Sequence, residues 1–233
     1  MLPTEAVQDY LKTIYTLQEN HEPAAPSTVA ARLGVTRPSV SAMLKKLAGQ
    51  KLVRHAPYGM IALTPAGQRF ALEVVRHHRI LETYLVHALG YSWDAVHAEA
   101  DRLEHALSED LEERMFERLG RPTRDPHGHP IPSRDGRLRG AVSTALADFP
   151  VGVPAAIARV SDRDPAMLRY LGARGLVPET EVMVLAKEPF GGPITVRSRR
   201  AAHLLGPELA QHIRVRKTTA PSEHAAGGCH ETH

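Results

Sequence analysis

From His97 to His105 the chain reads His-Ala-Glu-Ala-Asp-Arg-Leu-Glu-His. Ser92 stands where a helix N-cap would, and Trp93 to Leu107 keeps helical spacing with Val96, Leu103 and Leu107 apolar. At about 100° per residue, His97, Asp101, Glu104 and His105 then fall within roughly 100° of one another. Packing does not call for two imidazoles and two carboxylates on one helix face. Carboxylate oxygens and neutral imidazole nitrogens are donors that a divalent first-row metal accepts. The competing reading is a solvated acidic face, since Glu99, Glu109, Asp110, Glu112 and Glu113 lie nearby. Two other helical runs carry matching groups. His78 and Glu82 stand four apart in Pro65 to Leu89. Asp9 lies in Val7 to Leu17, whose Val7, Tyr10, Leu11, Ile14 and Leu17 repeat at helical intervals. A shared centre requires the fold to bring three helices together.

The elements that would do so sit in a chain of 233 residues with a net charge of +3. That length suits one large domain or two small ones, with ample length for a core. Charge is unevenly placed. Residues 1–70 carry eight Lys/Arg against four Asp/Glu, while residues 93–118 carry three Arg against nine Asp/Glu. The first balance suits an anionic partner and the second a cation. No apolar run approaches a membrane span, and the amino terminus lacks a signal-peptide pattern. Cys229 is the single cysteine, so no intrachain disulfide forms and a cytoplasmic location is expected.

Residues 1–64 read as a winged helix-turn-helix. A break at Asn20 to Pro26 follows the first helix, and a short helix, Thr28 to Leu33, closes at Gly34. Thr36 caps the next helix with Pro38 in its first turn, where a missing N–H costs little. That helix runs to about Gln50 and buries Val40, Met43, Leu44 and Leu47. Its other face offers Thr36, Arg37, Pro38, Ser39 and Ser41 near the amino end and Lys45 and Lys46 behind them. Small polar groups there approach base edges while lysines hold phosphates. Leu52 to His55 and Met60 to Leu63 read as wing strands around Pro57-Tyr58-Gly59. The alternative is a helical hairpin that packs only on other helices.

Residues 65–140 read as a helical interface. One helix runs from Pro65, capped by Thr64, to Gly90, the next bears the opening motif, and a third spans about Glu109 to Arg118. Arg121 to Gly140, with Pro122, Pro126, Pro130 and Pro132, reads as an ordered loop leading into a linker. Residues 148–216 change character. Strands at Ile157 to Val160, Glu181 to Leu185 and Ile194 to Arg197, a helix at Pro165 to Arg174 and an apolar stretch from Leu204 to Ile213 predict a small β-barrel. Residues 217–233 read as a disordered tail, whose His224, Cys229, His230 and His233 suit adventitious metal capture at most. The expected class is mainly α with a small carboxy-terminal β-barrel.

Several stretches together resemble the diphtheria toxin repressor and manganese transport regulator family of metal-dependent transcription factors. They are Asp9-Tyr10-Leu11-Lys12-Thr13-Ile14-Tyr15, Arg37-Pro38-Ser39-Val40-Ser41, His78-Arg79-Ile80-Leu81-Glu82, the His97 to His105 motif and His127-Gly128-His129-Pro130-Ile131-Pro132. Gly175-Leu176-Val177-Pro178 and Pro189-Phe190-Gly191-Gly192-Pro193 resemble the SH3-like domain of longer members and of ferrous-iron transport accessory proteins. The resemblance implies a homodimer that binds palindromic operator DNA and represses metal-uptake genes when metal is bound. It implies two metal sites per subunit, one using Asp9, Asp101, Glu104 and His105 and another using His78, Glu82 and His97, with Asp164 a weaker candidate from the barrel. Iron-responsive members have Met and Cys at the positions of Asp9 and Asp101, so the donor set here favours Mn2+, with Fe2+ as the alternative. Lys12 stands where manganese regulators have a carboxylate ligand, so their paired-metal arrangement does not carry over intact.

Two other function classes remain open at this stage. A di-metal carboxylate enzyme also draws Glu, Asp and His from facing helices, though usually with Glu-x-x-His pairs, which Glu104-His105 is not. A winged-helix regulator could instead sense an organic ligand or a partner protein. Metal-dependent DNA binding without turnover separates the three, and the residues favour no enzyme, no membrane partner and no small organic substrate.

Overall fold

The apolar stripe of the first helix, α1 (Glu5–Glu19), packs inward as its spacing predicts, burying Val7, Tyr10, Leu11, Ile14 and Leu17. The computed structural model describes residues 4–55, 59–138, 142–199 and 201–218. It divides into one unit, Met1–Gly140, and a second, Ala141–His233.

In the first unit α2 (Pro26–Leu33) ends at Gly34, whose φ of 64° lies in the left-handed region that a residue without Cβ adopts freely. The chain then enters α3 (Arg37–Gly49), where the Thr36 hydroxyl accepts a hydrogen bond from the Ser39 amide at 3.3 Å. Val40, Leu44 and Leu47 are buried against α1 and α2, while Met43 is only half-buried. Strand β1 (Val53–His55) pairs antiparallel with β2 (Ile61–Leu63), Val53 opposite Leu63. The expected wing tip at Pro57 and Tyr58 lies outside the described residues.

Helix α4 (Pro65–Leu89) is the spine of this unit, 25 residues and so roughly 37 Å long. Thr64 caps it by accepting from the Gly67 amide at 3.1 Å, and Gly90, with φ 73°, ends it. A Cβ at position 67 would stand 2.0 Å from the Leu52 carbonyl oxygen, so glycine there permits the wing to meet α4. The first half of α4 joins the DNA-reading core through Ala71, Leu72 and Val75. Its second half contributes Ile80 and Leu81 to another core with Ala100, Leu107, Met115 and Ile131. One rigid helix thus carries both.

Helix α5 (Val96–Leu103) is shorter than its sequence pattern predicts. Ser92 is not the N-cap: its backbone carbonyl accepts from the Ala95 and Val96 amides, forming a turn that precedes the helix. Glu104 and His105 follow the last helical residue in the C-terminal turn. Helix α6 (Glu109–Arg118) is capped by Ser108. Its buried Glu112 accepts from Arg76 Nε at 2.7 Å, and Arg76 and Arg79 reach on to the carbonyls of Pro132 and Pro130 at 2.7 and 2.6 Å. These bonds pin the proline-rich loop to α4.

The second unit contains β3 (Thr144–Ala145), β4 (Pro154–Val160), α7 (Pro165–Ala173), β5 (Glu181–Lys187), β6 (Ile194–Ser198), β7 (Ala202–Leu205), α8 (Pro207–Gln211) and β8 (Ile213–Lys217). The expected barrel takes the form of an antiparallel six-stranded sheet in the order β3-β8-β4-β5-β6-β7, with no ladder from β7 back to β3 among the described residues. The apolar stretch Leu204 to Ile213 resolves into strand end, helix and strand start. Lys217, expected in the tail, still pairs with Ala155, and the tail from residue 219 onward lies outside the described residues. No helix among the described residues is long and apolar enough to cross a membrane.

Candidate metal centre

Three helices of the first unit do converge, and their donor atoms fall into three triangles that share corners. In the first, Asp9 Oδ1 from α1 lies 2.9 Å from His105 Nε2, and Glu104 Oε1 lies 3.7 Å from that nitrogen. The other ring nitrogen of His105 donates to Gln8 Oε1 at 2.8 Å. That bond commits Nδ1 as a donor, as an orienting partner does for a metal-bound imidazole, so Nε2, set against Asp9 Oδ1, is the ring atom that a metal would take. In the second triangle, His78 Nε2, Glu82 Oε1 and His97 Nδ1 stand 2.9 to 3.0 Å apart. The third joins the other two. His78 Nδ1 is 2.6 Å from Glu104 Oε2 and 3.3 Å from Asp101 Oδ1, and Lys12 Nζ sits among all three.

Lys12 donates to Asp101 Oδ1 at 2.8 Å and to Glu104 Oε2 at 2.7 Å, with its nitrogen 2.9 Å from His78 Nδ1. Burial works against its ammonium, but Glu104 and Asp101 more than offset this and raise its pKa. Burial and Lys12 likewise oppose charge on His78, yet Glu82 and Glu104 prevail and lift it to about 9. A protonated ring cannot accept from Lys12. It donates to Glu104 and Glu82 instead, and the two cations are neighbours because they share Glu104. Burial raises Asp101 and Glu104, but Lys12 and His78 outweigh it and hold both carboxyls below their usual range. Asp9 differs: burial pushes it upward, Glu104 adds to the rise, and His105 and Lys12 do not cancel them. Its corner is the one with too little positive charge.

The residues present therefore fit a divalent cation. Every donor is oxygen or nitrogen, one imidazole has Nδ1 committed to Gln8 and turns Nε2 into the corner, and the half-buried Asp9 carboxylate lacks compensation. Of the sequence candidates, Asp9, Glu104 and His105 come together, as do His78, Glu82 and His97. Asp101 is drawn away from Asp9 into the company of Lys12, His78 and His97. Asp164 belongs to the second unit, where its Oδ1 caps α7 by accepting from the Ala166 and Met167 amides at 2.8 and 3.3 Å. Sequence reasoning misses Gln8 and the structural part of Lys12. Their signals are adjacency to Asp9 and a one-turn offset from it. The loop histidines also gain roles only in the fold. Asp125 Oδ1 accepts from the His127 and His129 amides, both at 2.9 Å, and His127 Nε2 donates to the Trp93 carbonyl at 2.7 Å with Nδ1 facing Glu82 Oε2 at 3.5 Å.

Elsewhere on this unit Thr36, Arg37, Pro38, Ser39, Ser41, Lys45 and Lys46 are all exposed along α3. Among the described residues, no ion pair within the chain accounts for Lys45 and Lys46. Their placement suits an anionic partner.

Residues 2–61 match the model described as "Iron dependent repressor, N-terminal DNA binding domain", residues 64–133 its "metal binding and dimerisation domain", and residues 144–217 the "FeoA domain". The iron-dependent repressor IdeR of Mycobacterium leprae (strain TN) is 33% identical over 226 residues, 91% of this chain and 97% of that protein. The diphtheria toxin repressor of Corynebacterium glutamicum is 29% identical over 223 residues, 91% of this chain and 96% of that one. Among solved structures, a manganese-dependent transcriptional repressor in complex with manganese superposes with a TM-score of 0.87 at 43% identity, covering 91% of this chain and all of that one. The T. acidophilum IdeR superposes with a TM-score of 0.80 at 27% identity, covering 94% and 99%.

Proposed function

The chain belongs to the iron-dependent repressor family of metal-dependent transcriptional repressors, which are not enzymes, and we propose that it is a Mn2+-activated repressor of metal-uptake genes, with Fe2+ as second-best activator. It acts in the cytoplasm as a homodimer on palindromic operator DNA. Residues 1–64 read the DNA, residues 65–140 bind metal and dimerise, and the sheet domain, 148–216, modulates. One ion takes Asp9, Glu104 and His105 and another takes His78, Glu82 and His97, two per subunit, with Asp101 closing the space between them.

The observation that carries this reading is the 2.9 Å approach of Asp9, on the first helix of the DNA-reading core, to His105, in the turn after α5. A divalent ion at that corner supplies a multivalent link between the two cores. Asp9 anchors the DNA-reading side, Glu104 and His105 anchor the other, and Gln8 keeps the imidazole aimed. With the link made, the two α3 helices of a dimer hold the separation that successive major grooves demand, about 34–36 Å or a multiple. Without it, carboxylates in close proximity repel and α1 is freer to reorient. Coupling of about 1–3 kcal/mol between metal and DNA is ordinary for such a switch, and DNA must tighten metal equally. The donor set favours Mn2+ because it holds no sulfur, and because an ion that wants about six ligands needs both helices while Zn2+ is satisfied with four.

The test is operator affinity titrated with Mn2+, Fe2+, Zn2+ and Co2+, with bound metal counted at each plateau. Mn2+ activates most and Fe2+ next. Equal activation by Zn2+ and Mn2+ sinks the geometric argument, and DNA binding that ignores all four metals sinks the function.

A further inference from the structure

Lys12 comes from the DNA-reading core, yet its ammonium sits inside the donor cluster. Its nitrogen is 2.7 Å from Glu104 Oε2, 2.8 Å from Asp101 Oδ1 and 2.9 Å from His78 Nδ1. Two carboxylate oxygens and an imidazole nitrogen around one point form the same kind of donor set as the triangles on either side. A divalent ion bound by these three atoms would stand about 2.0–2.6 Å from each, within the volume that the ammonium fills. Glu104 is divided accordingly: Oε2 faces Lys12 while Oε1 faces His105 and the Asp9 corner. Glu104 side-chain exposure is 1% and that of Lys12 16%, so this pair is shielded from solvent, while Asp101, at 47%, closes the cluster on its open side.

We infer that Lys12 is a built-in cation occupying the place of a metal ion between the two candidate sites. It confines exchangeable divalent ions to the Asp9–Glu104–His105 and His78–Glu82–His97 corners. This inference rests on the metal-dependent reading above and specifies it. Lys12 neutralises Asp101 and Glu104 permanently, which has two consequences. The metal-free protein keeps one link between α1 and α5 at all times, and the Asp9 corner is left as the link that metal alone completes. Lys12 is thus a positioning and specificity-determining residue that sets how many ions the switch consumes.

Two experiments on the full chain test it. In the first, bound Mn2+ is counted by electron paramagnetic resonance of the free ion for wild type, Lys12→Met and Lys12→Gln. Each variant takes up one more ion per chain than wild type, and its metal-free melting temperature falls but recovers on adding Mn2+. Equal ion counts in wild type and both variants overturn the inference while leaving a metal-dependent repressor intact. Absence of Mn2+ binding in wild type overturns the functional reading and this inference together. The second experiment needs no variant and so survives a folding failure. Acetylation of Lys12 is followed by mass spectrometry in wild type with and without saturating Mn2+. The amine stays sheltered, with rates alike within about twofold. A large rise on adding Mn2+ shows that metal displaces the ammonium and overturns the inference.

Discussion

Raising the pH of the metal-free protein weakens its first unit through His78. The imidazole donates to Glu104 at 2.6 Å and to Glu82 at 2.9 Å, both buried, and its pKa stands at about 9 against 6.5 for the free side chain. A folded pKa above the unfolded one contributes stability that is complete below pH 6.5 and is lost as pH climbs through 9. At about 1.4 kcal/mol per unit, the gap corresponds to roughly 3 kcal/mol as a ceiling. Glu82, Asp101 and Glu104 shift the other way, so their contributions are lost only in acid, outside this window. Lys12 is raised above 10.5 and stays charged throughout. His77 is different: despite burial, Glu112 raises it too, so wild type alone does not isolate His78. The assay is therefore urea unfolding of wild type and His78→Asn in the presence of a chelator. It is read by the fluorescence of Trp93, the sole tryptophan, whose ring stacks on His127 at 5.9 Å within the first unit. The stability difference between the two proteins shrinks by up to roughly 3 kcal/mol between pH 6.5 and 9. Parallel curves, their difference constant within about 0.5 kcal/mol, refute the argument. The same proton must leave before His78 ligates, so Mn2+ affinity at that corner rises with pH over this range.

Lys45→Ala weakens specific and non-specific DNA binding alike and flattens the salt slope by roughly one unit for each phosphate no longer held, measured by titration at several salt concentrations. Gly67→Ala forces a Cβ to within 2.0 Å of the Leu52 oxygen, a backbone atom, and costs roughly 1–3 kcal/mol or more in urea unfolding; an unchanged midpoint removes the close approach from the account. Asp9→Met exchanges a hard donor for a soft one and shifts activation of operator binding from Mn2+ towards Fe2+ or Co2+, read at saturating concentrations of each metal.

Much of the helical architecture was legible because its signals are local. Thr64 before Pro65 and Gly90 after Leu89 bound α4 as read, and Gly34 and Thr36 mark the turn into α3, since caps and left-handed glycines act within a few residues of themselves. The donor types were legible too, and with them the kind of ion. Which donors share a corner was not. Helical phase placed Asp101 with Glu104 and His105, but α5 stops at Leu103 and the turn brings Glu104 Oε1 and His105 to Asp9, while Asp101 meets Glu104 Oε2 only around Lys12 and His78. Gln8 lies 97 residues from the His105 ring it orients, and Lys12 lies 66 to 92 residues from the atoms it meets. In the sheet domain the strands were readable one by one, whereas the insertion of β8 between β3 and β4 was not. A lysine on an amphipathic helix reads as a solvated charge in any local window. Only packing α1 against α4 and α5 takes it out of water, and once there its charge must find carboxylates, because a buried ammonium without them costs several kcal/mol.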